Sequence, residues 1–385
     1  MFLLYFLYYI FLKKQLKKGT SWHKSVNGNK KVSLIIATYN EEKTLIDKIK
    51  NILELDYPKK NLEIVFIDSG STDNTQQIIN NFIGDYPDLN IIFMKEDERH
   101  GKSHALNIAY PVSSGEIKII SDADAILDKS AIMKIVSNFS DPSIGAACGR
   151  QVLLNPEQST STQLERDYRR YYETLREGES ILDSTPIFHG ELSAYRGSLI
   201  ETLPENKSAD DSRLANIIRK KGFRSVYDSS AFFYEYAPPD TKSRFTQKVR
   251  RGQGLIRLLW DFKDVMFRKR YGLYGTLIVP MEFFMHCIFP VLWLTFIALF
   301  SISLLYFNEI LFFLSSFIMM LLIVLSSIDS DNALLKFGRN FSTLVLSFLS
   351  SQIILIYALV LWLSGRSLHK WEKVEAIREG WNVTT

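Results

Sequence analysis

The stretch VSLIIATYNEE, residues 32–42, changes abruptly from an apolar run to polar residues, and this change decides the fold. The same change recurs in LEIVFIDSGSTD, residues 62–73, and in IKIISDAD, residues 117–124. Apolar residues at helical spacing follow the first two stretches. Continuous apolar strands that alternate with helices are typical of a parallel sheet covered on both faces. The pattern therefore predicts an α/β domain with a Rossmann-like, mostly parallel sheet.

Polar motifs follow these predicted strands at the point where each strand ends. In open parallel sheets, ligands bind beyond the carboxyl ends of the strands. The polar residues of 38–42, 68–73 and 121–124 are therefore expected at one edge of the sheet. This agreement between motif and position predicts a ligand-binding cleft there.

Two carboxylates, Asp122 and Asp124, stand one residue apart after an apolar strand. Alternate side chains of an extended segment point to the same side, so both face one pocket. Two adjacent anions are costly unless a cation joins them, and a hard divalent ion with oxygen ligands is the natural candidate. The pair predicts bound Mg²⁺ or Mn²⁺ that bridges to a diphosphate. The alternative is an acidic pair that caps the strand end or lies in a solvated turn.

Composition excludes some classes of protein. The 385 residues carry 46 Lys and Arg against 42 Asp and Glu, a net charge of +4. A strongly basic nucleic-acid binder is excluded on these grounds, and we expect no nucleic-acid partner. The two cysteines, Cys148 and Cys287, are far apart, so they indicate neither a disulfide framework nor a zinc site.

Both ends of the chain are membrane-like. Residues 1–12 are almost wholly apolar, but a helix of that length spans only about 18 Å, short of a bilayer core of about 30 Å. Residues 286–307, 310–328 and 341–365 contain no Asp, Glu, Lys or Arg, and each is near or above the length of a membrane span. Residues 271–287, interrupted by a proline and a glutamate, are expected to be interfacial or re-entrant.

The region after the sheet domain predicts a helix at the membrane surface. Its apolar residues fall on one helical face, with charged residues opposite; a helix that faces a soluble core is the alternative. We divide the chain into an N-terminal hydrophobic anchor (1–18), a catalytic domain (31–240), an amphipathic interface region (241–270), transmembrane helices (271–365) and a C-terminal tail (366–385).

Four segments carry a family resemblance. VSLIIATYNEE (32–42), VFIDSGSTDNT (65–75), GKSHALN (101–107) and SDAD (121–124) resemble, in order and spacing, the signatures of family 2 glycosyltransferases with the GT-A fold. The apolar C-terminal region is similar to the membrane-embedded branch of that family, which includes hyaluronan, chitin and cellulose synthases. The resemblance implies a GT-A catalytic domain followed by C-terminal transmembrane helices.

The resemblance also implies a donor site. Each residue in it takes a role from the family motif that it matches. Six residues would line the nucleotide pocket, read the nucleobase or contact the diphosphate, namely Thr38, Asn40, Glu41, Asp68, Lys102 and Asp122. The metal would be held by Asp124 with Asp122. From the residues alone, Asn40 also fits an N-cap, and Asp68 and Asp73 also fit Asx-type turns.

On the acceptor side, the resemblance implies that Asp211 is the general base, with Asp210 where the family usually has Glu. The family's QxxRW motif matches at Gln247 and Arg250, whereas Arg251 stands in the position of the Trp. In processive synthases that Trp belongs to the acceptor platform. The planar donors of Arg250 suit a diphosphate clamp.

These residues indicate a single inverting displacement from a nucleotide-diphosphate sugar, with a UDP-sugar as the expected donor. The acceptor would be a cell-surface glycan or polysaccharide, which the retained Gln247 and Arg250 favour. The alternative is one transfer to a polyprenyl-phosphate or other lipid-linked acceptor, which the missing Trp and few spans favour. A catalytically silent, nucleotide-binding membrane scaffold is a third hypothesis, and the retained Asp122, Asp124, Asp211 and Arg250 argue against it.

The expected location is the cell membrane, in contact with lipid, as a multi-pass protein with a cytosolic catalytic domain. The lysines of 13–18 and the basic residues of 268–270 support that orientation. Three crossings would place Arg366, Lys370 and Lys373 outside, against the positive-inside rule. Either residues 271–285 contribute to a fourth crossing or one stretch is re-entrant.

Overall fold

The computed structural model describes residues 2–25, 28–205, 207–327 and 333–366. The strands in these residues are β1 (Val32–Thr38), β2 (Leu62–Ser69), β3 (Asn90–Glu96), β4 (Ile117–Ile120), β5 (Ile126–Leu127), β6 (Ile144–Leu153), β7 (Ser193–Arg196) and β8 (Arg224–Glu235). The α-helices are α1 (Phe2–Gln15), α2 (Leu45–Glu54), α3 (Thr75–Asp85), α4 (Lys102–Val112), α5 (Ala131–Ser137), α6 (Thr160–Leu182), α7 (Asp210–Lys220), α8 (Thr241–Asp261), α9 (Val279–Phe283), α10 (Phe289–Phe307), α11 (Glu309–Ser327) and α12 (Ala333–Leu363).

All eight strands form one sheet in the order β3-β2-β1-β4-β7-β6-β8-β5. The four N-terminal strands are mutually parallel, as predicted. Strand β7 runs antiparallel to β4 and β6, and β5 runs antiparallel to β8, so the second half of the sheet is mixed. The predicted α/β class and Rossmann-like half are confirmed, and the antiparallel β7 ends the parallel order.

The core explains why these apolar runs become strands. Leu34 and Ile36 of β1 pack on one face of the sheet with α2, α3 and α5, whereas Ile35 packs on the other face with α4 and α7. Each of these side chains is fully buried. Burial on both faces requires apolar residues at successive positions, and this accounts for the uninterrupted runs in the sequence.

Within the described residues, two helical segments are long and apolar enough to cross a membrane, namely 274–306 and 345–363. A shorter apolar stretch, Glu309–Ile318, lies in α11. Large apolar side chains of α10 and α11, such as Leu299 and Phe313, are exposed on the protein surface. An exposed apolar surface of this extent fits contact with lipid. The number of crossings stays a prediction, and residue 328 of the predicted second span lies outside the described residues.

Residues 274–306 form one continuous helix, and the interfacial or re-entrant placement expected for residues 271–287 stays a prediction. Two π-helical turns, Tyr274–Ile278 and Phe284–Ile288, flank the short α9. Glu282, the charged interruption, is buried with its carboxylate 3.1 Å from His286 one turn later. Glu282 therefore does not break the helix, because its carboxylate pairs with His286 of the same helix.

Helix α6 packs against the apolar helices α1 and α12. Its Gly178 allows α1 to approach, since a Cβ there would lie 2.7 Å from the Cβ of Leu12. The Asp167 carboxylate accepts a hydrogen bond from Thr343 of α12 at 2.8 Å. Helix α8 packs on the same α12, where Val249 and Ile256 contact its apolar face. Leu258, on the predicted apolar face of α8, is fully buried against Tyr274 and Ile278, so that face also packs against protein.

Candidate active site

A cavity of about 640 Å³ opens at the carboxyl ends of β1 and β4 and extends to α6, α8 and α12. Seven of the residues predicted for the site line it: Thr38, Glu41, Lys102, Asp122, Asp124, Asp211 and Arg250. In the described part of the chain, Asn40, Asp68 and Gln247 are outside this lining. The fold thus brings most of the predicted donor and acceptor residues into one space.

Lys102 and Asp122, which were predicted to bind the donor, meet on one side of the cavity. Lys102 begins α4, and its Nζ lies 2.5 Å from Oδ1 of Asp122. Burial alone would raise the pKa of Asp122, but the adjacent Lys102 ammonium lowers it below its usual value. Asp122 is therefore held as a carboxylate, and Asp124 lines the cavity next to it. The pair fits Mg²⁺ or Mn²⁺, since both ions prefer carboxylate oxygens.

A buried lysine that no motif predicted lies beneath these carboxylates. Lys48 of α2 is fully buried and donates hydrogen bonds to Oγ of Ser121 at 2.7 Å and to the Ala125 carbonyl at 2.6 Å. Burial lowers the pKa of Lys48 to about 7, although Asp122 and Asp124 oppose that shift. The two bonds fix the segment that carries both carboxylates. The signal in the sequence is a lysine among the apolar residues of an amphipathic helix.

Asp210 and Asp211, which were predicted to lie on the acceptor side, begin α7 and line the cavity. Burial, together with the negative charges of Asp210 and Glu191, raises the pKa of Asp211 to about 7. A Cβ added to Gly190 would lie 3.4 Å from Nζ of Lys102 and 3.6 Å from Oδ2 of Asp211. Lys102 and Asp211 therefore face the same small space at Gly190. A carboxyl group with a pKa near neutrality is suited to act as a general base.

Arg251, which was matched to the position of the family's Trp, pairs with two buried carboxylates. Its guanidinium lies 2.9 Å from Glu191 and 3.9 Å from Glu235. Burial and the charge of Glu191 raise the pKa of Glu235 to about 8, while Arg251 opposes that shift. Both Arg250 and Arg251 line the cavity. Arg251 therefore contributes a charged surface to this part of the cavity.

Helix α6 supplies a wall of the cavity that no motif predicted. Glu165 is buried and lies 2.9 Å from Lys248, 2.9 Å from Arg169 and 3.3 Å from Arg244. Burial would raise its pKa, but these cations hold the pKa of Glu165 well below its usual value. Arg176, further along α6, contacts His189. The signal in the sequence was the recurrence of Glu165, Arg169 and Arg176 on one helical face.

Two arginines of this wall, Arg169 and Arg176, line the cavity. Among the described residues, the Nε atoms of Arg169 and Arg176 are buried and have no hydrogen-bond partner. The same end of the cavity is closed by residues of the apolar helices, namely His286, Ser351, Ile354 and Leu355. This end of the cavity therefore combines cationic side chains with an apolar rim.

Asn40 and Asp68 have local structural partners. Asn40 adopts φ 53°, and its Oδ1 accepts a hydrogen bond from the Thr72 amide at 2.7 Å. The expected N-cap at Asn40 is wrong, because α2 begins after Thr44. Asp68 is fully buried and accepts hydrogen bonds from the Ser71 amide at 3.0 Å and from Gln76 at 2.7 Å. An Asx turn joins a side chain to the amide two residues on, so the bond from Ser71 to Asp68, three residues apart, does not match it. The expected turn occurs at Asp73, whose Oδ1 accepts a hydrogen bond from the Thr75 amide at 3.0 Å. A nucleotide role for Asn40 or Asp68 stays a prediction.

The chain is similar to proteins of known activity. The poly-beta-1,6-N-acetyl-D-glucosamine synthase of Staphylococcus aureus strain COL is 27% identical over 248 residues, which is 63% of this chain and 59% of that protein. The Staphylococcus epidermidis synthase of the same name is 26% identical over 277 residues, 70% of this chain and 65% of that protein. This chain therefore spans less than two thirds of the length of these relatives.

A solved structure matches over nearly the whole length of both chains. It is a mannosyltransferase from Pyrobaculum calidifontis in complex with GDP-Man and Mn²⁺, with a TM-score of 0.76, 28% identity and coverage of 94% of this chain and 95% of that one. The GT-A fold predicted from the motifs is confirmed by this match.

Two family models match the sequence itself. The model described as glycosyl transferase family 2 covers residues 33–203, and the model described as glycosyl transferase family group 2 covers residues 119–330. The predicted family is thereby confirmed. Since the second match covers more than half of the 385 residues, the chain belongs to glycosyl transferase family group 2.

Proposed function

We propose that the protein is a membrane-bound, inverting glycosyltransferase that transfers a sugar from a nucleotide-diphosphate sugar to an acceptor. The observation that carries this proposal is the meeting of Lys102 and Asp211 at Gly190. A diphosphate-binding cation and a near-neutral carboxyl group thus share one space. An anionic leaving group and an acceptor hydroxyl need these two groups on either side of a sugar.

The donor is assigned to the sheet edge of the cavity. Thr38 and Glu41 would contact the nucleotide, and Lys102 the diphosphate. Asp122 and Asp124 would hold Mg²⁺ or Mn²⁺, which would neutralise charge on the departing diphosphate. The Mn²⁺ in the mannosyltransferase relative supports a divalent ion. GDP-mannose is a candidate donor because that relative was solved with it, and UDP-sugars are candidates from the family resemblance.

The reaction is assigned to a single displacement. Asp211 accepts the proton of an acceptor hydroxyl as that oxygen attacks the anomeric carbon from the face opposite the nucleotide. The bond from the anomeric carbon to the diphosphate breaks, and its electron pair leaves with the diphosphate. Lys102 and Arg250 stabilise the negative charge that develops there. One displacement inverts the anomeric configuration.

Two acceptor classes fit the other end of the cavity. A glycan or polysaccharide is supported by the names of the relatives, which are polysaccharide synthases. A polyprenyl-phosphate or other lipid-linked acceptor is supported by Arg169 and Arg176, which line the same cavity as Ile354 and Leu355 of α12. Buried guanidinium groups bind phosphate through strong, charge-assisted hydrogen bonds. An apolar rim formed by membrane helices would admit a lipid tail.

Location and domain division complete the proposal. The exposed apolar helices associate with a membrane. The catalytic domain is placed on the cytosolic side in a multi-pass arrangement, with a division near residue 240. Helix α8, which follows that division, would bind α12 and carry Arg250 and Arg251 into the cavity. The membrane part would thereby complete the active site.

Labelled donor separates the acceptor classes. Full-length protein in lipid nanodiscs is incubated with radiolabelled GDP-mannose or UDP-sugars and either polyprenyl phosphate or an oligosaccharide acceptor. Label in the organic phase identifies a lipid-linked product, and label in water-soluble saccharide identifies glycan extension. Arg176→Met should reduce the lipid-linked product, whereas Arg170→Met, on the exposed side of α6, should not. Absence of transfer to either class would favour the nucleotide-binding scaffold.

A further inference from the structure

Three metal-binding side chains meet outside the Asp122 and Asp124 pair. Glu96 ends β3, His100 lies in the segment that follows, and His104 is in the first turn of α4. Their ligand atoms lie within 4.8 Å of one another. His100 also lines the cavity, so this cluster borders the donor side of the site.

Glu96 is held in position for a shared contact. Its side chain is buried, and Oε2 accepts a hydrogen bond from Ser69 at the end of β2. The other oxygen, Oε1, contacts Nδ1 of His104 and lies 3.6 Å from Nδ1 of His100. The two imidazole rings are 4.6 Å apart, centre to centre. A hydrogen bond accounts for the contact between Glu96 and His104. The 3.6 Å between Glu96 and His100 is too long for a hydrogen bond.

The ligand set indicates the chemistry of the ion. Two imidazoles and one carboxylate suit a first-row transition ion such as Zn²⁺, and three protein ligands leave one tetrahedral position open. Bonds of about 2.1 Å would bring tetrahedral ligand atoms to about 3.4 Å apart. His100 is 44% exposed, so its ring can make the required small adjustment. The bond from Ser69 to Glu96 orients a ligand in the way that outer-shell partners do.

We propose that Glu96, His100 and His104 form a binding site for Zn²⁺ or a similar transition ion, separate from the ion at Asp122 and Asp124. The ion would join the end of β3 to the start of α4 and fix the intervening residues 97–101. Arg99 of this segment stacks on Tyr39 at 4.2 Å, and both residues line the cavity. A fixed segment would hold Arg99, and the adjoining Lys102, in place for the donor.

Zinc binding to purified full-length protein without an affinity tag tests the site. The protein is treated with EDTA, dialysed, and titrated with Zn²⁺ by calorimetry, and Co²⁺ absorption reports the geometry of the bound ion. The variants are His100→Gln, His104→Gln and the double variant Asp122→Asn/Asp124→Asn. His23→Gln, which changes an exposed histidine elsewhere, is the matched control.

A Zn²⁺ site with a tetrahedral Co²⁺ spectrum should persist in the double Asp variant and in His23→Gln. Because loss of an outer-shell partner alone weakens metal binding by about 10–100-fold, each histidine variant should weaken it at least about tenfold. Two histidine variants keep the test decisive if one fails to fold. Unchanged Zn²⁺ affinity in the folded histidine variants, loss of the site in the double Asp variant, or no Zn²⁺ binding by the wild type would overturn the proposal.

Discussion

The general base can be tested by its charge and by its pH dependence together. Asp211→Asn keeps the shape of the side chain and removes its ability to accept a proton. Loss of a general base lowers rates by about 10²–10⁴, which corresponds to about 2.7–5.4 kcal/mol of transition-state stabilisation. Donor binding should survive, because Lys102 and Asp122 bind the donor in this account. Asp210→Asn is the matched control in the same helical turn and should lose less.

The pKa of Asp211 sets the expected pH profile. With a pKa of about 7, the base is largely protonated at pH 6 and largely ionised at pH 8. The ionised fraction therefore rises roughly tenfold, and kcat/KM for the acceptor should rise with it. Asp210 helps to raise that pKa, so Asp210→Asn should move the rise to lower pH. Because the two carboxyl groups are neighbours, the profile reports the pair.

The assay pairs two measurements on full-length protein in nanodiscs. Release of nucleoside diphosphate in the presence of acceptor gives turnover from pH 5.5 to 8.5, and calorimetry gives donor affinity. Near-normal turnover in Asp211→Asn, together with an inactive Asp210→Asn, would refute the assignment and move the base by one residue. A wild-type profile that is flat or falls between pH 6 and 8 would also refute it.

Two other predictions concern the metal and the fold. Asp124→Asn should abolish transfer and weaken Mn²⁺-dependent donor binding in calorimetry, and full transfer by this variant in the presence of EDTA would contradict the metal assignment. Glu165→Gln should destabilise the protein by roughly 3–5 kcal/mol, because it leaves buried cations without their anion. The exposed pair of Glu157 and Arg166 gives the control, since Glu157→Gln should cost about 1 kcal/mol or less. Equal unfolding midpoints for the two variants would contradict the buried-cluster argument.

The sequence predicts the parallel half of the sheet because the apolar pattern of each strand lies within a few consecutive residues. Each strand of this half is built mainly of apolar residues, and both faces of β1 and β2 are covered. The helix start at Asn40 was wrong for a non-local reason. Its side chain accepts a hydrogen bond from the amide of Thr72, in the loop after the neighbouring strand β2, and α2 begins only after Thr44.

The site residues also fall into those that local sequence motifs predict and those whose roles depend on distant parts of the chain. Residues in ordered motifs, such as Lys102, Asp122 and Asp211, line the cavity as expected. Lys48 and Glu165 were missed because their roles depend on partners far along the chain. Lys48 bonds to residues 121 and 125, and Glu165 contacts Lys248. Sequence spacing alone does not show such pairings, although a charged residue on a buried helical face is a usable signal.

The anomeric configuration of the product tests the central claim most directly. Full-length protein is supplied with an α-linked donor, GDP-mannose or UDP-N-acetylglucosamine, with Mn²⁺ and the acceptor that supports turnover. The new linkage is then read by proton NMR. A single displacement with Asp211 as base predicts a β-linked product, and none from Asp211→Asn. An α-linked product would contradict the account, because retention requires a second displacement or a different mechanism.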